Sequence, residues 1–303
     1  MEIKSGVPQA ISEINEQQSA KVLQLKSKCL YMYDTGKPFT LTKSGSAYKL
    51  ESKFFNSRAV KKYFSSADRN FIRSVKDYIL KNNIPDRFVF TDYRDKKINY
   101  IDVKDFKSGN VINNSTEIDM TKAYWVTAYQ MGVISKKIYE IGLTVDKIVR
   151  LAALGGLAKR IEQWVFDGQT MKKLPDIRSY ETENIWFAIC KRVADIMGQA
   201  AKIAGKDFIF YWVDGIYVNN NSDVVEKIQK YFTECGYESK INSINQITFN
   251  DYSFKVDGDG KDPDDIKEFT YPRSNRIKTV RQYNEDLRLR KLAEEVYLNI
   301  KAA

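Results

Sequence analysis

KDFIFYWVDGIYVNNN, residues 206–221, is the clearest strand pair in the chain. Two short apolar runs, Phe208 to Val213 and Ile216 to Val218, flank Asp214-Gly215, a dipeptide suited to a two-residue hairpin turn, so Asp214 is expected at the tip. A long amphipathic helix over 181–204, stopping at Gly205, leads into this pair. The helical SDVVEKIQKYFTECG, 222–236, and a second hairpin, INQITFNDYSFKV, 244–256, follow it. Upstream, the short strand TEIDM, 116–120, runs directly into the helical TKAYWVTAYQMG, 121–132, which sets Asp119 where a strand ends and a helix begins. Hairpins alternating with helices predict an α+β fold, an antiparallel sheet with helices on one face.

Flanking segments carry weaker signals. Residues 9–30 read as a surface-packed helix. The stretch from Tyr48 to Ile79, with Arg58, Lys61, Lys62, Arg69, Arg73 and Lys76 among its aromatics, reads as one helix or two, which predicts a small helical N-terminal region. Aromatics beside cations can stack bases; core aromatics beside a solvated lysine face account for the pattern equally well. Residues 86–106 suggest a hairpin. A helix is expected over 135–142. Another, over 144–166, is expected to start at a Thr144 cap and to carry Gly155-Gly156 in mid-helix, at about 1 kcal/mol each. GQTMKKLPDIRSY reads as a loop, GDGKDPDD as a flexible boundary, and Arg276 to Ala303 as a short helical tail. The expected divisions are 1–109, a basic helical and hairpin region; 110–256, the catalytic domain; and 257–303, linker and tail.

Composition narrows the chemistry. Of 303 residues, 49 are Lys or Arg and 39 Asp or Glu, a formal net charge of +10 in a chain that is 43% hydrophobic, so a folded protein with a polyanionic partner is expected. There is no histidine, which excludes histidine-activated nucleophiles and histidine-ligated metals. Cys29, Cys190 and Cys235 form no CxxC pair and fit free thiols in a reducing compartment. No apolar run approaches the roughly eighteen residues of a membrane span. The expected location is cytoplasmic, in the host cytoplasm if the source is viral.

Two aspartates at strand tips, brought together without histidine, suit magnesium, a hard ion that takes oxygen ligands partly from substrate phosphates. Two such ions support in-line phosphoryl displacement. Singly, each aspartate has the commoner reading of a turn or cap residue. Asp119-Met-Thr-Lys-Ala-Tyr124 resembles the first palm motif of family B DNA polymerases, and Tyr211-Trp-Val-Asp214-Gly-Ile-Tyr-Val resembles their third. The resemblance spans residues 110–256. It implies a polymerase-type palm with short fingers, a reduced thumb and no proofreading exonuclease.

By that resemblance Asp119 and Asp214 bind two Mg2+ ions, with Mn2+ as the alternative. The backbone of Met120, Thr121, Lys122 and Ala123 cradles an incoming triphosphate, and Tyr124 lies beneath its sugar and selects deoxynucleotides. Lys147 and Arg150 neutralise phosphate, while Gly155, Gly156 and Lys255 meet primer and template. Lys122 and Trp125 depart from the family's serine and proline, and Trp212 stands where the third motif has its first aspartate. Leu154, Gly155 and Leu157 replace the asparagine, serine and tyrosine of the second motif. The implied partners are a DNA primer-template, deoxynucleoside triphosphates and a terminal or other replication protein, in a small virus or mobile element, with no membrane. The competing expectations are a catalytically inactive palm serving as a basic replication scaffold, a reverse transcriptase, and an unrelated α+β DNA-binding protein.

Overall fold

The computed structural model describes residues 8–12, 14, 20–45, 47–60, 64–88, 98, 101–104, 106, 108–178, 180–250, 253–258 and 266–270. In chain order these form α1 (Gln9–Ser12), α2 (Ala20–Asp34), β1 (Phe39–Ser44), β2 (Ala47–Glu51), β3 (Asn56–Val60), α3 (Ser66–Lys81), β4 (Ile101–Val103), β5 (Val111–Met120) and α4 (Ala123–Gln130). There follow α5 (Lys136–Thr144), α6 (Lys147–Gly155), β6 (Arg160–Phe166), β7 (Met171–Lys173), β8 (Ile177–Arg178) and α7 (Tyr180–Ala204). The last elements are β9 (Phe208–Trp212), β10 (Gly215–Asn219), α8 (Ser222–Glu234), β11 (Ser239–Phe249), β12 (Ser253–Asp257) and β13 (Lys267–Thr270). The fold is α+β, with two antiparallel sheets. Two compact units share the chain: Met1–Asp92 with Gly132–Phe187, and Tyr93–Met131 with Ala188–Ala303. These boundaries differ from the expected 1–109, 110–256 and 257–303.

The first unit holds a sheet ordered β3-β2-β1-β6-β7, with β8 also paired to β6. Its N-terminal part is therefore not the small helical region expected. Phe39 and Leu41 on β1, and Tyr48 and Leu50 on β2, are buried while the residues between them are not. That period of two turns one face of the sheet inward. They pack with Val22, Leu25, Cys29 and Met32 of α2, which recur at helical spacing. Burial pushes the Cys29 thiol up to about 12. Trp164 and Phe166 complete this core because β6 pairs with β1 in a register that sets Trp164 opposite Leu41. This distant pairing draws 132–187 to the N-terminal residues. Helix α3 begins only at Ser66, with a capping box: Ser65 Oγ accepts the Asp68 N–H at 3.1 Å and the Asp68 carboxylate accepts the Ser65 N–H at 3.0 Å.

The single helix expected over 144–166 is corrected to a helix and a strand. Thr144 closes α5, and the cap of α6 is Asp146, whose carboxylate accepts the Ile148 N–H at 3.0 Å. The glycine pair ends α6, and β6 follows. An added Cβ at Gly155 or Gly156 would meet nothing within 4 Å, so close approach by another chain segment does not explain either glycine. The loop expected after Phe166 carries β7 and β8.

In the second unit a sheet ordered β13-β12-β11-β5-β10-β9-β4 is antiparallel throughout. Within it the succession β5, α7, β9, β10, α8, β11 builds a split βαβ pattern with spatial order β11-β5-β10-β9. Ile118, Tyr211, Ile216 and Val218 on one face of the sheet pack with Val193, Ile196 and Met197 of α7 and with Val225, Ile228 and Phe232 of α8. On the other face the sheet curls upon itself. Phe269 of β13 lies 5.7 Å from Phe210 and 4.7 Å from Trp212, ring centre to ring centre, although β13 and β9 are far apart in strand order. Phe249, Phe254 and Val256 fill this second core.

Strand β5 is longer than the expected TEIDM, and β13 was not foreseen. The hairpin tip lies one residue earlier than expected. Gly215 pairs with Trp212, so Val213 and Asp214 form the turn and Gly215 belongs to β10. The hairpin expected in 86–106 falls largely outside the described residues, which there include β4, and the tail over 276–303 falls outside them entirely. No helix among the described residues is long and apolar enough to cross a membrane.

Candidate active site

Strand register brings the two aspartates together. Gly215 lies directly opposite Asp119 across β10 and β5, a pairing that sets opposed Cα atoms about 5 Å apart. Asp214 is the next residue, and its carbonyl accepts the Met120 N–H at 2.9 Å. Both aspartates are partly exposed. Both charges reach one group, the Tyr217 hydroxyl, whose pKa is raised by burial first, then by Glu117, Asp119 and Asp214.

A third carboxylate lies at the same place and was missed from sequence. Glu117 is 6% exposed and stands two residues before Asp119, so strand alternation gives the two a common face. A Cβ added at Gly215 would stand 3.4 Å from Glu117 Oε1 and 3.6 Å from Asp119 Oδ1. The bare face of this glycine is what leaves room for both acids. Glu117 accepts hydrogen bonds from the Tyr217 hydroxyl and from Asn242 Nδ2 at 2.9 Å, and it pairs with Lys267 Nζ at 3.4 Å. Its charge is thus compensated within the protein. The T-E-I-D alternation was a signal that could have paired Glu117 with Asp119. Lys267 had none, because its reach from β13 depends on the curl of the sheet.

Backbone strain flanks both aspartates. Among the described residues four non-glycine residues have positive φ: Asn83, Asn114, Lys122 and Val213. Asparagine tolerates that region; a β-branched valine is an outlier there. Lys122, at φ 57°, turns the chain from Asp119 into α4, and Val213, at φ 61°, immediately precedes Asp214. Strain of this kind costs about 1–3 kcal/mol and concentrates at functional sites.

The remaining candidates divide. Met120 and Thr121 already donate their N–H groups, to Asp214 O at 2.9 Å and Glu238 O at 2.8 Å, so neither amide is left for a phosphate. Ala123 is buried, Lys122 is exposed, and Tyr124 packs partly on the helix-side core. Lys255 is not brought to the aspartates. It alternates with the inward Phe254 and Val256, and so stands exposed on the other side of β12. Lys267, opposite Val256 in register, is the lysine on the inward side. Trp212 packs its ring on Phe269. Lys147, Arg150, Gly155 and Gly156 belong to the first unit. There Arg150 Nη1 donates to Gly142 O at 2.9 Å and Val145 O at 2.5 Å, tying the end of α5 to α6. A cavity of about 400 Å³, lined by Lys191, Arg192, Asp195, Lys202, Tyr211 and Tyr231, opens among α7, α8 and β9 on the helix-covered side, away from the aspartate face.

The donor set at the aspartates fits magnesium. It is all oxygen, and the third acid is engaged by its own cation. No group of three or more histidine, cysteine or acidic side chains among the described residues forms a ready metal cage; magnesium is commonly held by one or two carboxylates with substrate phosphates completing its shell. The chain matches no protein-family model, and no curated protein matches it.

Proposed function

We propose that this protein is a minimal family B-like DNA polymerase that extends a primer on a DNA template by two-magnesium nucleotidyl transfer. The observation that carries the reading is the meeting of Asp119 and Asp214 across β5 and β10. Support also comes from the order of elements, with a long helix entering the hairpin that carries Asp214, which agrees with a polymerase-type palm. The strained residues beside each aspartate favour the same reading.

Asp119 and Asp214 would hold magnesium from the protein side. Bound there, magnesium would supply the Lewis acidity that eases ionisation of a primer 3′-hydroxyl and offsets charge on the leaving oxygen. In the reaction the 3′-hydroxyl would lose its proton to solvent as its oxygen bonds to the α-phosphorus, the bond from that phosphorus to the α–β bridging oxygen would break, and pyrophosphate would depart with the bridging oxygen. Glu117, neutralised by Lys267, fixes the floor beneath the two aspartates through Tyr217. By the motif resemblance, the part of the Tyr124 ring that the helix-side core leaves uncovered would lie under the sugar and exclude a 2′-hydroxyl.

Incubation with a primed template, magnesium and deoxynucleotides is expected to lengthen the primer, with ribonucleotides rejected and Tyr124→Ala relaxing that rejection. Template binding with no extension in magnesium or manganese would refute the polymerase reading. That outcome would favour a second reading, an inactive palm serving as a nucleic-acid-binding scaffold. Two observations favour it: Arg150 is engaged by backbone carbonyls, and Trp212 is packed where the family has an acid.

A further inference from the structure

We propose that the first unit carries a stacking surface for an unpaired DNA strand, built from Tyr31, Phe54 and Lys37. Tyr31, on α2, is 48% exposed and Phe54, in the loop between β2 and β3, is 57% exposed. Single exposed apolar residues are ordinary on a protein surface. These two rings share one cation: Lys37 Nζ lies 4.5 Å from the centre of the Tyr31 ring and 4.9 Å from that of Phe54, and donates to Tyr31 Oη at 2.7 Å. Phe55 meets Tyr31 edge-on at 6.3 Å between ring centres, and Lys28 Nζ lies 5.4 Å from the centre of the Phe55 ring.

The loop that presents Phe54 is tied down. Ser52 Oγ accepts the N–H groups of Phe54 at 3.1 Å and Phe55 at 2.8 Å, and Ser52 N–H donates to Phe55 O at 2.8 Å. The ring is held out with little left to order on binding, as a recognition surface requires. Lys28, Lys37 and the exposed Lys53 outnumber the acids near the patch: Glu51 is engaged by Lys49 at 2.5 Å, and the exposed Asp34 lies one helical turn from Tyr31. Flat apolar faces among ammonium groups match a polyanion whose bases are uncovered, since stacking needs an open π face and the ammonium groups meet phosphates. A duplex hides those faces. The stacking surface stands independently of catalysis; that the strand is DNA rests on the reading of the second unit.

The test is fluorescence anisotropy of the full chain with a labelled oligo-dT, a duplex of equal length, oligo-rU and anionic vesicles, in EDTA without nucleotides, so that a failure of polymerase chemistry does not bear on it. Oligo-dT is expected to bind in preference to duplex. Tyr31→Ala and Phe54→Ala should each weaken it roughly 5- to 150-fold, with Phe54→Trp restoring binding. The aromatic variants should keep the wild-type salt dependence, whereas Lys37→Met should flatten it by about 0.7 in log–log slope. Circular dichroism is expected to be unchanged. Wild-type oligo-dT affinity in both alanine variants, preference for duplex, or a loss confined to oligo-rU or to vesicles would overturn the proposal.

Discussion

Removing the Glu117 carboxylate would strip the Tyr217 hydroxyl, the Asn242 amide and the Lys267 ammonium of the acceptor they share. A buried donor left unsatisfied costs about 1–3 kcal/mol. Glu117→Ala is therefore expected to lower stability by roughly that amount, with Glu117→Gln losing less because its amide oxygen still accepts; urea denaturation measures both. A change below about 0.5 kcal/mol in the alanine variant would mean that the network does not hold the sheet as described. The same residues mark what was legible at this scale. Asp119 and Asp214 could be picked out because each sits where a local pattern changes. Sequence spacing singles out Lys255 but carries no information about which way a strand curls, and the lysine on the inward side is Lys267.

Elements were legible where periodicity was strong and local, as in α7, α8 and the β11–β12 hairpin. They were misread where a distant partner decided the outcome. Asp214-Gly215 is the better turn dipeptide by propensity, yet the turn forms at Val213-Asp214. In that register Ile216 pairs with Ile118 on the helix-covered face, and a slip of one residue would reverse the faces of β10. Packing thus overrides the local preference, at the cost of a valine at φ 61°. Val213→Gly is expected to raise stability by about 1 kcal/mol, and an unchanged or lower denaturation midpoint would contradict the strain. Gly155→Ala and Gly156→Ala should each stabilise the chain by about 0.4–1 kcal/mol. Their backbones are right-handed helical and an added methyl has open space. Destabilisation would show that something must approach them after all.

For the whole molecule, the alternation of helices and hairpins revealed the sheet of the second unit, whereas the first was hidden because β1 completes its core only with the distant β6. The buried phenols of the second unit give a further test. Burial, then the charges of Asp102 and Asp195, pushes Tyr211 up to about 12 from an ordinary 10.0, and Tyr217 and Tyr237 are also raised, chiefly by burial. Above pH 10 the unfolded chain releases protons that the native one retains. The stability these groups confer is therefore complete below about pH 10 and falls as pH rises through about 12. Denaturation midpoints from pH 8 to 12, read beside phenolate absorbance, should show that fall, and normal titration of all tyrosines in the folded chain would contradict it. The most direct measurement of the central claim is single-nucleotide incorporation by the wild type, Asp119→Asn, Asp214→Asn and the double variant. If both carboxylates serve one metal site, each single substitution should remove as much activity as the double, by about a thousandfold or more, because groups acting as a unit are not additive. Partial losses that multiply in the double variant, or wild-type incorporation in either single one, would contradict a shared site.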